Sequence, residues 1–96
     1  MRVRFTPSAR REFLEALAFI RDESPAAAEG FAARAGEGLA RLRDFPESGR
    51  IVPEFPDLMY REVLVNPYRF FYRVADDDVW IVGVWHDRQL PGVPGA

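Results

Sequence analysis

The sequence predicts a small α+β domain of order β-α-α-β-β-β, with a helical hairpin packed on one face of a mainly antiparallel sheet. Three observations lead there. Between Met59 and Arg88, two turn signals (Asn66-Pro67 and Asp76-Asp77-Asp78) divide the chain into three runs rich in Val, Ile, Tyr, Phe and Trp. Such residues suit a pleated, half-buried surface, and the breaks suit turns. Ahead of these runs lie two tracts with apolar residues at helical spacing, each opened by Thr-Pro or Ser-Pro. Apart from one short N-terminal run, the strands follow the helices rather than alternating with them, which is an α+β pattern.

In order, Arg2-Val3-Arg4-Phe5 alternates charged and apolar residues and reads as a short strand. Thr6-Pro7 supplies an N-cap and a proline at the first helical position. Ala9, Phe13, Leu17 and Ile20 then mark the buried stripe of a helix over about 7–22. Ser24-Pro25 repeats the signal and opens a second helix running to about Asp44, with Phe31, Ala35, Leu39 and Leu42 on its stripe. The short link makes the pair an antiparallel hairpin. Gly30, Gly36 and Gly38 each weaken the second helix by about 1 kcal/mol relative to Ala, and close approach to another element is the expected reason for them. Residues 49–57, with Pro53 and Pro56, read as an ordered loop. Strands follow at about 59–65, 68–75 and 78–86. A single domain over 1–88 is expected, with 89–96 a frayed tail containing two prolines and two glycines. Leu64, Phe70, Tyr72, Val79, Ile81 and Trp85 are expected in the core with Phe13, Leu17, Ile20, Phe31, Leu39 and Leu42.

Composition bounds the function. Ninety-six residues with 48% apolar and 29% charged content form one folded domain. There is no cysteine, hence no disulfide or thiolate metal site. No run approaches the ~20 apolar residues that span a bilayer, and no signal-peptide core opens the chain, so a cytoplasmic location with no membrane partner is expected. No metal or cofactor signature occurs. Net charge is −2, and all 13 basic residues are arginine. No lysine is therefore available as base or nucleophile.

The tracts REVLVNPYRFFYRV and IVGVWHDR, with FPESGRIVPE before them, resemble the RelE/ParE superfamily of toxins from type II toxin–antitoxin systems. The resemblance covers about 1–88. It implies a growth-inhibiting prokaryotic protein, associated with plasmid stabilization, that a co-encoded antitoxin neutralises within a toxin–antitoxin hetero-oligomer. Two mechanisms exist in the superfamily. ParE-like members poison DNA gyrase. RelE-like and YoeB-like members cut mRNA on the ribosome without a metal, which takes a base, an acid and cations for the charge on phosphorus.

By resemblance, Arg69 stands at the catalytic arginine, Arg61 at the first of two basic residues on the preceding strand, and Arg88 at a C-terminal arginine. His86 and Glu54 stand where YoeB-like nucleases carry their His and Glu. The ribonuclease alternative would make Arg69, His86 and Glu54 catalytic. Two departures weaken it: Val63 replaces the second basic residue, and no tyrosine follows Tyr72. The ParE-like reading is therefore adopted, with Arg61, Arg69, Arg73 and Arg88 binding target or antitoxin. Plainer readings stand beside these. His86 could be a hydrogen-bonded strand-end residue, Arg69 and Arg73 could solvate a sheet face, and Glu54 could be a surface carboxylate. Exposed Phe19, Leu58, Met59 and Trp80 are expected to mark the antitoxin's surface.

Loop parity decides which of these side chains share a face. A two-residue Asp76-Asp77 loop sets Arg69 opposite Val84 and puts His86 on the face of Arg69. At Asn66-Pro67 the need to partner Glu62 favours an even loop, but the resemblance favours an odd one that joins Arg61 to Arg69. The odd loop is adopted, with Glu62 near the sheet's end and paired to an arginine.

Overall fold

A computed structural model describes residues 1–89; the expected frayed tail lies almost wholly outside them. The elements are β1 (Arg2–Phe5), α1 (Pro7–Glu23), α2 (Pro25–Ala40), a 3-10 turn (Arg41–Arg43), β2 (Arg50–Ile51), β3 (Arg61–Val65), β4 (Tyr68–Ala75) and β5 (Asp78–His86). They form an α+β fold with one five-stranded sheet of order β1-β5-β4-β3-β2. β1 runs parallel to β5 and every other pairing is antiparallel.

The helices start where capping chemistry places them. Thr6 Oγ1 accepts from the Ala9 N–H at 3.2 Å, and Ser24 Oγ from the Ala27 N–H at 3.1 Å. Each cap is worth about 1 kcal/mol. Ser24 also ends α1, its own N–H donating to the Ile20 carbonyl. One residue thus closes one helix and opens the next, forcing the antiparallel hairpin. α2 stops earlier than expected, at Ala40, tightening into the 3-10 turn before Asp44. Its glycines are not all demanded by packing: a Cβ on Gly36 would meet nothing within 4 Å, and one on Gly38 would lie 3.4 Å from Val63.

The hairpin covers one sheet face. Phe13, on α1, packs its ring 5.7 Å from that of Phe70, and Phe31, on α2, 5.4 Å from that of Tyr68. Phe31, Leu42, Phe70, Tyr72, Val79 and Ile81 are fully buried there, with Phe13, Leu17 and Ile20 packed around them. Val63, Val65 and Val84 join this core. Leu64 and Trp85, expected in it, do not: Leu64 is exposed, and Trp85 packs on the opposite face.

Both misplacements come from register. The Asn66-Pro67 loop has two residues, its peptide is cis, and Val65 pairs with Tyr68. Leu64 therefore sits opposite Arg69, and Arg61 opposite Tyr72. The expected odd loop is thus wrong, and Arg61 and Arg69 lie on opposite faces. The Asp76-Asp77 loop also has two residues, as expected, and Asp76 takes φ 56°. A bulge then intervenes: Tyr72 pairs with Ile81 but Phe71 with Gly83, leaving Val82 as an extra residue. The extra residue reverses the alternation of β5 beyond it. Trp85, not Val84, faces Arg69, and His86 faces Tyr68 on the helix side. Gly83 permits the bulge to pack, because a Cβ there would lie 3.3 Å from the Phe71 ring.

Candidate functional site

The sheet face away from the helices is not open. The segment Val52–Tyr60, expected as a loop to Asp57 and then the start of a strand at about 59, lies across it as a strap, and β3 begins only at Arg61. The Val52 N–H donates to the Tyr60 carbonyl at 3.2 Å, Phe55 to Val52 at 3.0 Å and Leu58 to Phe55 at 3.1 Å. Val52 is fully buried against Phe71 and Val82, with Phe55, Tyr60, Trp80 and Trp85 around them. This second apolar cluster explains why the strap is ordered without regular structure.

Arg69 lies beneath the strap, only 5% exposed. Its guanidinium sits over the Phe71 ring at 5.0 Å and donates in two directions. Nη1 and Nη2 bind the two Glu54 oxygens at 3.0 and 2.7 Å. Nε reaches Glu62 Oε1 at 2.8 Å, and Nη2 lies 2.6 Å from the same oxygen. Glu62, 3% exposed, is also paired with Arg50 through its other oxygen. Two arginines and two glutamates thus neutralise one another in a line from β2 to the strap. The fork-shaped guanidinium is what allows the bidentate hold on Glu54. The Glu54 hydrogen bonds raise the Arg69 pKa further above its already high value, against the opposing effect of burial. The Arg69 hydrogen bond in turn lowers that of Glu54. Burial raises the Tyr68 and Tyr72 hydroxyls.

Of the nuclease set read from the sequence, Arg69 and Glu54 therefore meet directly, whereas His86 does not join them. Its ring stands edge-on to Tyr68 at 5.3 Å on the helix face, in a hollow shared with Glu12, Phe19 and Gln89. The His86 Nδ1 accepts from the Arg88 N–H at 3.0 Å, and the His86 N–H donates to Gln89 at 2.7 Å. Nearby, the Val84 N–H donates to Glu12 at 3.1 Å. β1 pairs only with residues 78–81 of β5, so these side chains satisfy backbone donors on a stretch that β1 does not reach.

The remaining predicted residues are dispersed. Arg61 donates to the Gly49 carbonyl at 2.9 Å. Arg73 is exposed, with no carboxylate within salt-bridge distance among the described residues. Arg88 is exposed beyond the end of β5. Of the four expected apolar surface residues, Phe19, Leu58 and Met59 are exposed. Trp80 is half-buried beneath the Arg4 guanidinium, 5.0 Å above its ring. The expected pairing of Glu62 with an arginine is met, but by Arg69 and Arg50 at a buried position rather than near the sheet's end, and Arg50 was not named from the sequence. A glutamate inside an apolar strand was the available signal, since burial there demands a partner.

Among the described residues, no group of His, Asp and Glu is arranged to hold a metal, and no helix is long and apolar enough to cross a membrane. Residues 3–91 match the family model described as the ParE toxin of type II toxin–antitoxin systems, parDE. The chain belongs to the ParE toxin family. The ParE fold is also seen in a solved structure titled as the chromosomal ParDE TA system from P. aeruginosa. That structure aligns with a TM-score of 0.68 at 17% identity, over 90% of this chain and 95% of that one. No curated protein matches the chain.

Proposed function

We propose that this ParE-family toxin acts in the cytoplasm by poisoning DNA gyrase, and that a co-encoded antitoxin neutralises it. One observation supports this over mRNA cleavage. Acid–base chemistry on a phosphodiester needs its groups within hydrogen-bond reach of one substrate. Here Arg69 is held by Glu54 and Glu62 on the strap side, while His86 lies against Tyr68 on the helix side. The only histidine and the family arginine do not address one phosphate. The toxin is then a binding protein that traps another enzyme rather than a hydrolase. The test is expression without antitoxin, followed by two assays. DNA breaks that require gyrase are expected. Ribosome-dependent mRNA cleavage with intact DNA would overturn the reading.

A further inference from the structure

At the end of the sheet, between the strap and the last residues of β4, lies a cleft of about 370 Å³ that no helix residue lines. Its aliphatic wall is open to solvent: Met59 is 87% exposed, and Ile51, Leu58 and Val74 are exposed beside it. Its rim carries both signs of charge, Arg61 and Arg73 from the sheet and Glu47 and Asp57 from the loops. Arg61 already donates to the Gly49 carbonyl. Neither arginine has a carboxylate partner among the described residues, which leaves Arg73 as the rim cation with its guanidinium uncommitted.

Half of the aliphatic wall, Leu58 and Met59, belongs to the strap. Its backbone hydrogen bonds are local, so its placement rests on the sheet beneath it. Val52 is buried with Phe71 and Val82, Phe55 packs against that cluster, and Glu54 is held at both oxygens by Arg69. Arg69 is itself held by Glu62 and by contact with the Phe71 ring. The inner clamp therefore sets where the outer wall stands.

We propose that Arg69 is a positioning residue: by holding Glu54 it fixes the 52–60 strap, which completes a docking cleft for an aliphatic, acidic segment of the antitoxin. The inference rests on the toxin reading above. Exposed aliphatic surface of this kind marks an interaction site. A cation free for pairing at its rim selects a partner whose aliphatic residue neighbours an Asp or Glu. The carboxylate docks on Arg73.

The test measures antitoxin affinity by calorimetry, strap order by amide exchange, and gyrase-dependent DNA breakage, all on the full chain. Met59→Glu, at a site too exposed to threaten folding, should weaken antitoxin binding at least about ten-fold with strap exchange unchanged. Glu54→Ala should weaken binding to a similar degree and speed exchange over 52–60, while α1 and α2 keep their protection. The double variant should bind little worse than either single variant, because both act through the strap. Antitoxin affinity within two-fold of wild type for Met59→Glu would overturn the docking site. A loosened strap with full affinity in Glu54→Ala would overturn the positioning role. Loss of DNA breakage by Met59→Glu with antitoxin binding intact would assign the cleft to the target and refute the proposal. Should the wild-type toxin cause no gyrase-dependent breaks, the gyrase reading fails while the affinity results still decide this one.

Discussion

Replacing Arg69 by methionine tests the ion cluster most directly. Methionine keeps an unbranched stem that can lie on Phe71 but removes every hydrogen bond to Glu54 and Glu62. Removing one partner of a buried pair costs about 3–5 kcal/mol, because it strands a charge. Glu62 is only 2% exposed at its side chain, but it retains Arg50, which is 69% exposed. Glu54 is 39% exposed and rehydrates. Both facts place Arg69→Met near the lower end, about 3 kcal/mol. For a domain of this size that is a large share of a total of roughly 5–15 kcal/mol. It corresponds to a fall in melting temperature of roughly 12–24 °C. Urea unfolding should show the midpoint falling with an unchanged slope. Adding Glu62→Gln should recover part of the loss, since the stranded charge disappears. A cost below about 1 kcal/mol for Arg69→Met, or strict additivity with Glu62→Gln, would refute the reasoning. Acid supplies an independent arm. The folded pKa of Glu54 is lowered below the ordinary 4.5, chiefly by its hydrogen bond from Arg69. The unfolded chain therefore binds more protons, and the stabilisation is complete above that ordinary value. It is lost as pH falls through the depressed folded value. Glu54→Ala should flatten the pH dependence of stability in that acid range and leave the neutral-to-alkaline side unchanged.

Three further outcomes follow from the same structure. In Gly49→Ala, the new Cβ would lie 2.5 Å from the Tyr72 hydroxyl and 2.7 Å from the Glu62 carbonyl. Displacing that hydroxyl breaks its bonds to the Gly49 N–H and Pro46 carbonyl, at an expected cost of about 1–3 kcal/mol by thermal or urea unfolding. Gly36→Ala, in an exposed part of α2 with nothing within 4 Å of the new atom, should raise stability by about 0.5–1 kcal/mol, and no gain in the melt would contradict the open space there. His86→Ala should leave toxicity within about two-fold in a growth assay, because the ring stands apart from Arg69; abolished toxicity would restore the nuclease alternative.

The sequence by itself determined whatever depends on neighbours along the chain. Thr6-Pro7 and Ser24-Pro25 placed both helix starts to the residue, because capping uses a side chain and an N–H three positions apart. The Asp76-Asp77 turn and the strand runs 68–75 and 78–86 were legible because alternation and turn chemistry are local. Tertiary structure decided the rest. The bulge at Val82 arises from how β5 fits β4, and Gly83 inside an apolar strand was its only trace in the chain. That one extra residue moved His86 away from Arg69 and carried Trp85 to the strap side. Likewise, Glu62 became buried because Arg69 and Arg50 reach it from 7 and 12 residues away. Glu54 meets Arg69 across 15 residues through the fold of a strap without periodicity. Charges are paired by distance in space, and along the chain neither those partners nor the parity that a bulge reverses leaves a repeating signal.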